Sequence, residues 1–130
     1  MNDWAEHAVA RLDAIDDPGA LGFLVGDGDW PFRGFVVRRD GDVVAFANVC
    51  PHARHPLDML PDAFLTQGGS MIRCASHGAL FRPDDGECLA GPCVGAKLLR
   101  LDARVDEHGT IYVRAPESLR DATLSGWSGL

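Results

Sequence analysis

Apolar residues fall into short runs separated by turn formers along almost the whole chain. The runs "ALGFLV", "FRGFVVRR" and "VVAFANV" are divided by "GDGDWP" and by the Asp-Gly pair in "RRDGDV". Asp-Gly between β-rich runs predicts a tight hairpin, because both turn positions need a backbone conformation that these residues tolerate. "ALFRPDDGECL" reads as strand, turn and strand, and "LLRLDARVDEHGTIYVRA" as a final hairpin turning at Glu107 to Gly109. Closely spaced strands with turns about every eight to twelve residues predict an all-β sandwich or small barrel. "WAEHAVARLDAI" fits either an amphipathic helix or a strand "AVARL" followed by a turn at "DDPG", and the strand is the reading adopted. From Pro116 the chain reads as a tail, 116–130, with Trp127 as its anchor and room for one short helical turn.

Composition narrows the class. At 130 residues and 46% hydrophobic, the chain is expected to form one domain, 1–130, with a core of its own. The formal charge of -7 argues against nucleic acid and against an anionic membrane, both of which select basic surfaces. No apolar run approaches the ~18 to 20 residues needed to cross a bilayer. The start "MNDWAEHAVARLDAIDD" has neither a cationic leader nor a twin-arginine signal, so the cytoplasm is the expected compartment. There, Cys50, Cys74, Cys88 and Cys93 point to metal binding, redox work or simple burial before structural disulfides.

The chemistry is concentrated in "NVCPHARHPLDMLPDAFLTQGGSMIRCASHGALF", residues 48–81. Cys50 and His52 form a C-x-H pair, and Cys74 and His77 form a C-x-x-H pair after 21 intervening residues. In extended backbone, residues i and i+2 project to one side, so Cys50 and His52 can face one object, with Pro51 stiffening the segment between them. Two cysteines and two histidines admit tetrahedral zinc or a [2Fe-2S] cluster in which two histidines replace two cysteines on one iron. Zinc fingers usually group like ligands on each arm. Here each arm carries one of each kind, which suits a binuclear object: each arm gives its cysteine to one iron and its histidine to the other.

With "GECLAGPC" downstream, "CPH…CASHGALF" resembles the Rieske ferredoxins and Rieske-type domains, from about Leu21 to Val113. The resemblance implies an antiparallel β-sandwich carrying a small cluster-binding subdomain, about 48–97, built from two ligand loops and a proline-containing third loop. It implies that Cys50 and Cys74 hold the buried iron and His52 and His77 the outer one of a single Rieske-type [2Fe-2S] cluster. "GPCVGAKL", Gly91 to Leu98, matches the third loop.

Departures from the family pattern set an expected potential. Rieske proteins of respiratory cytochrome bc complexes carry two further cysteines joined by a disulfide in the ligand loops; the matching positions here are His55 and Ser76. Those high-potential proteins also place a serine and a tyrosine after the second ligand pair, with hydroxyls bonded to cluster and cysteine sulfurs. The equivalents here are Ala79 and Phe81, without hydroxyls. Two ferric ions, two sulfides and two thiolates sum to zero with neutral imidazoles, so reduction leaves about one negative charge, which a donor to sulfur would stabilise. If each missing bond is worth ~1.4 kcal/mol, its loss lowers a one-electron potential by ~59 mV. Two losses place the protein near the low end, about -150 mV, of the Rieske range.

The expected function is therefore a low-potential ferredoxin that carries single electrons and is not itself an enzyme. Its implied partners are a reductase, a flavoprotein by resemblance, and a terminal oxygenase or similar acceptor. At 130 residues the chain is not expected to be the oxygenase itself, which by the resemblance needs a second domain for a mononuclear iron. An acidic surface favours encounter with basic partners, and the docking interface of a shuttle is expected to be small. The alternatives are a small Rieske-fold subunit of an assimilatory nitrite reductase and, from another class, a zinc-stabilised interaction module without redox activity.

The remaining residues take plain readings. Cys88 and Cys93 are expected to be small buried hydrophobes. His55 is expected to be a loop residue, and His7 and His108 solvated. Gly78 serves a turn, a close approach to sulfide, or both. Phe35, Phe46 and Trp30 read as core, and "FRGFVVRR" and the Asp-rich turns as exposed strand faces.

Overall fold

The computed structural model describes residues 5–26, 32–49, 57, 64–66, 69–74, 78–91 and 94–115. The tail from Pro116, Trp30, and the ligand candidates Cys50, His52 and His77 lie outside them, as do His55, Ser76 and Cys93.

Every regular element among the described residues is a strand, apart from one 3-10 turn at Leu12–Ala14. The strand reading of the N-terminal segment holds: β1 spans Ala5–Arg11. β2 (Gly19–Val25), β3 (Phe32–Arg39) and β4 (Asp42–Ala47) follow. Short β5 (Ile72–Arg73), β6 (Leu80–Phe81) and β7 (Cys88–Ala90) come next, then β8 (Arg100–Leu101), β9 (Ala103–Val105) and β10 (Thr110–Ala115). They form three antiparallel sheets in the orders β1-β10-β9, β2-β3-β4-β8 and β5-β6-β7.

The expected hairpins are present. Arg39 pairs with Asp42 across a two-residue turn in which Asp40 and Gly41 have φ of 53° and 82°, the left-handed pair that such turns require. Asp17 fastens this hairpin from outside: its carboxylate accepts the backbone N–H groups of Asp40 (2.8 Å) and Gly41 (2.9 Å). In the last hairpin Asp106 Oδ1 accepts the N–H groups of His108 and Thr110, both at 2.9 Å. The Thr110 bond, foremost, holds the Asp106 carboxyl below the ordinary aspartate range. A depressed folded value contributes stability that is present above the unfolded value and lost as pH falls through the folded one. The hairpin amides of His108 and Thr110 are accordingly expected to keep their hydrogen-exchange protection at neutral pH and through the ordinary aspartate range, and to lose it only at more acidic pH.

The central sheet is buried on both faces. Phe32, Val36, Ala45, Ala47 and Leu101 pack with Ile111, Val113 and Ala115 of the β1-β10-β9 sheet. On the opposite face Phe35, Val37 and Phe46 pack with Leu57, Phe64, Ile72, Cys74, Ala79, Phe81, Cys88 and Leu98. This corrects the expectation that "FRGFVVRR" presents an exposed face. Phe32, Phe35 and Val36 are fully buried, because a sheet covered on both sides needs consecutive apolar residues. A second correction concerns His7. Its Nε2 is buried and has no hydrogen-bond partner among the described residues, since β1 packs its partly covered side chains against the second sheet. His108, by contrast, is exposed as expected, with 77% of its side chain accessible.

Five of the six phenylalanines are fully buried. Phe35 stacks on Phe64 with ring centroids 4.2 Å apart and planes 8° from parallel, joining the central sheet to the β5-β6-β7 layer. Phe64→Ala is expected to cost about 3 to 5 kcal/mol, within the range for truncating a buried aromatic ring. A shift of the urea midpoint at unchanged slope would check this.

Candidate metal centre

The small β5-β6-β7 sheet, packed on the Phe35, Val37 and Phe46 face of the central sheet, and its neighbours hold the stems of three loops. The first loop leaves β4. Ala47 N–H donates to Leu99 O and Asn48 N–H to Arg33 O, each at 2.9 Å, so the strand is held on two sides up to the loop. Val49 and Asn48 are both buried, at 6% exposure. Cys50 and His52 follow directly in sequence. The loop meets the core again at fully buried Leu57, whose N–H donates to Asn48 Oδ1 at 2.7 Å.

The second loop leaves β5. Arg73 N–H donates to Phe64 O at 2.8 Å, and Cys74 follows with no solvent exposure. The loop closes on itself, with Gly78 N–H donating to Cys74 O at 2.8 Å and Cys74 N–H to Ala79 O at 2.9 Å. His77 lies in sequence inside this closure. Gly78 has φ of 70°, so the turn reading holds: a side chain would strain the backbone here. Nothing among the described residues lies within 4 Å of where its Cβ would be. Ala79 and Phe81 are fully buried, and Phe81 pairs with Ile72 on one side and Cys88 on the other.

The third loop leaves β7 at Gly91, which has φ of 100°. A Cβ there would come within 2.8 Å of Ala79 Cα, so only glycine lets this backbone lie against the second loop. Cys88, 2% exposed, donates from Sγ to Ala90 O at 3.3 Å within its own hairpin, and its N–H donates to Ala96 O. That is the expected small buried hydrophobe. Leu89 and Val94, either side of the third loop, are 41% and 66% exposed. Asp85, in the β6–β7 turn, accepts the Glu87 N–H at 3.0 Å and Arg82 Nη1 at 2.9 Å. The backbone bond, followed by the guanidinium, lowers its carboxyl pKa.

Of the four predicted ligands, the structure therefore places Cys74, buried at the mouth of a closed loop, and brings Leu57, which follows the Cys50–His52 segment, into the same apolar cluster. No group of three or more metal-ligating side chains forms among the described residues alone. Sequence reasoning placed Gly91 at the start of the third loop without its approach to Ala79, and it missed Asn48. A polar residue closing the apolar run "VVAFANV" two positions before a cysteine was the available signal for Asn48.

An antiparallel sandwich whose small third sheet leads to a buried cysteine before a glycine turn has the frame of an iron-sulfur protein of the Rieske type. The sequence matches the Rieske [2Fe-2S] domain over residues 7–112, and the chain belongs to that family. Among solved structures it is similar to the ferredoxin of carbazole 1,9a-dioxygenase from Nocardioides aromaticivorans IC177. That likeness has 29% identity and a TM-score of 0.65, and covers 87% of this chain and 99% of that one. It is also similar to a putative NADH-dependent nitrite reductase small subunit from Mycobacterium tuberculosis, at 25% identity and TM-score 0.60, over 86% of this chain and 96% of that one. The Sphingomonas yanoikuyae B1 ferredoxin shares the fold at 19% identity and TM-score 0.65, over 86% of this chain and all of that one. No curated protein matches the sequence.

The family carries one [2Fe-2S] cluster, the group of a one-electron carrier. The residues present fit the group: a buried cysteine supplies a thiolate where apolar packing excludes water, and the sequence supplies the mixed donors a Rieske centre needs. Among the described residues no helix is long and apolar enough to cross a membrane.

Proposed function

We propose that the chain is a low-potential Rieske ferredoxin, with Cys50 and Cys74 on one iron and His52 and His77 on the other. The bound cluster supplies a one-electron couple. The chain's part is to bury the cysteine end, hold the loops and leave the histidine end for a partner. The observation that carries the low potential is the pair of fully buried side chains after the second loop, Ala79 and Phe81, neither of which can donate a hydrogen bond. The reduced, more negative cluster then lacks two stabilising donors, and voltammetry is expected to give a midpoint near -150 mV. A strongly positive midpoint would contradict the proposal.

The proposed partners are a flavoprotein reductase and a terminal oxygenase in the cytoplasm. Similarity to a dioxygenase ferredoxin supports the acceptor, as does the fold shared with a ferredoxin held in a complex with its oxygenase. Electron transfer to such an acceptor is expected to slow with rising salt, because the -7 charge acts through screened attraction. The likeness to a nitrite reductase small subunit favours a second reading. Copurification with a large haem subunit would select it over a free shuttle.

A further inference from the structure

We propose that Asn48 is the positioning residue of the first ligand loop: its side chain latches the two described ends of that loop together, so that the segment carrying Cys50 and His52 in sequence is closed between anchored ends before a cluster binds. The inference rests on the ligand reading above. Asn48 is a buried polar residue at the end of an apolar strand, a place where a polar side chain is retained only if it is hydrogen-bonded. Its backbone is fixed first. The N–H donates to Arg33 O on β3, and the preceding Ala47 N–H donates to Leu99 O, so the side chain leaves a rigid strand end. Its Oδ1 then accepts the Leu57 N–H at 2.7 Å, across nine residues.

The segment between latch and catch contains Cys50 and His52. Leu57 is itself anchored, fully buried in the cluster that includes Cys74, Ala79 and Phe81. One side-chain oxygen thus ties the first loop both to the central sheet and to the packing beneath the second loop. The second loop is closed differently, by backbone bonds from Cys74 N–H to Ala79 O and from Gly78 N–H to Cys74 O. A site built from two arms needs both held before the metal arrives, since each ligand's disorder must otherwise be lost on binding.

The test uses the full cluster-bearing chain. In the wild type the Leu57 amide is expected to exchange slowly. Asn48→Ala, which removes the acceptor, and Asn48→Gln, which displaces it by one methylene, are expected to expose that amide. Both should speed iron release to a chelator by about tenfold. Ile111 and Val113 amides in β10 should keep their protection, separating a loosened loop from a failing fold. Asn48→Asp retains an acceptor oxygen and is expected to keep Leu57 protected and release slow. Nitrogen hyperfine couplings of the reduced cluster give the signature that a merely structural role would not move: in Asn48→Ala one of the two histidine couplings should broaden while the other stays sharp. Wild-type release with both couplings sharp in the Ala and Gln variants, or an Asp variant that behaves like Ala, overturns the latch. A wild-type spectrum lacking two histidine nitrogens overturns the ligand reading instead, and Leu57 exchange still reports whether the latch forms.

Discussion

Cys74→Ala is expected to remove the visible absorption of the protein completely, whereas Cys88→Ala leaves it in place. Both cysteines are buried, Cys74 at 0% and Cys88 at 2% exposure, and both lie in the same apolar cluster, so burial does not distinguish them. Their local chemistry does. Cys88 sits inside a strand, its Sγ turned to the Ala90 carbonyl of its own hairpin. Cys74 stands at the mouth of a loop closed by Gly78 and Ala79 and shares its C-x-x-H spacing with His77. A cluster missing one of its two cysteine thiolates would lose a ligand that neither water nor the apolar surroundings replace. His52→Ala and His77→Ala are expected to abolish the Rieske spectrum in the same way. Cys88→Ala removes only a small side chain, at a cost of about 1 kcal/mol of stability. Loss of colour with Cys88 and its retention without Cys74 would show that the thiols have been wrongly assigned.

The double variant Ala79→Ser with Phe81→Tyr is expected to raise the midpoint potential by more than ~100 mV, about 59 mV for each new donor to sulfur. Both positions are fully buried, so each hydroxyl must find an acceptor or destabilise the fold by about 1 to 3 kcal/mol. Ala79 lies against Gly91 of the third loop, and Phe81 is flanked by Ile72 and Cys88. The space is tight, and Ser and Tyr are the smallest changes that introduce the donors. The single variants should each give roughly half the shift. An intact cluster whose potential does not move in the double variant would show that these positions do not set it.

Local patterns were legible where one cause acts alone. Asp40-Gly41 declared its hairpin because few other residue pairs accept two left-handed positions in a row. β10 alternates buried Ile111, Val113 and Ala115 with more exposed neighbours, a period of two visible in the sequence. The run "FRGFVVRR" was misleading because its strand is covered on both faces, which removes the alternation that marks a surface strand. His7 could not be read because its burial depends on which face of β1 meets the second sheet. The proposed ligand pattern rests on chemistry, which restricts the residue types that hold such a cluster. The Asn48–Leu57 bond and the Gly91–Ala79 approach were not legible, since each joins residues brought together only by the fold.

The most direct test is the metal content and spectrum of the purified protein. The account predicts two irons and two acid-labile sulfides per chain, a reddish-brown colour bleached by dithionite, and a reduced-state resonance carrying two histidine nitrogens. A colourless protein holding stoichiometric zinc would contradict it.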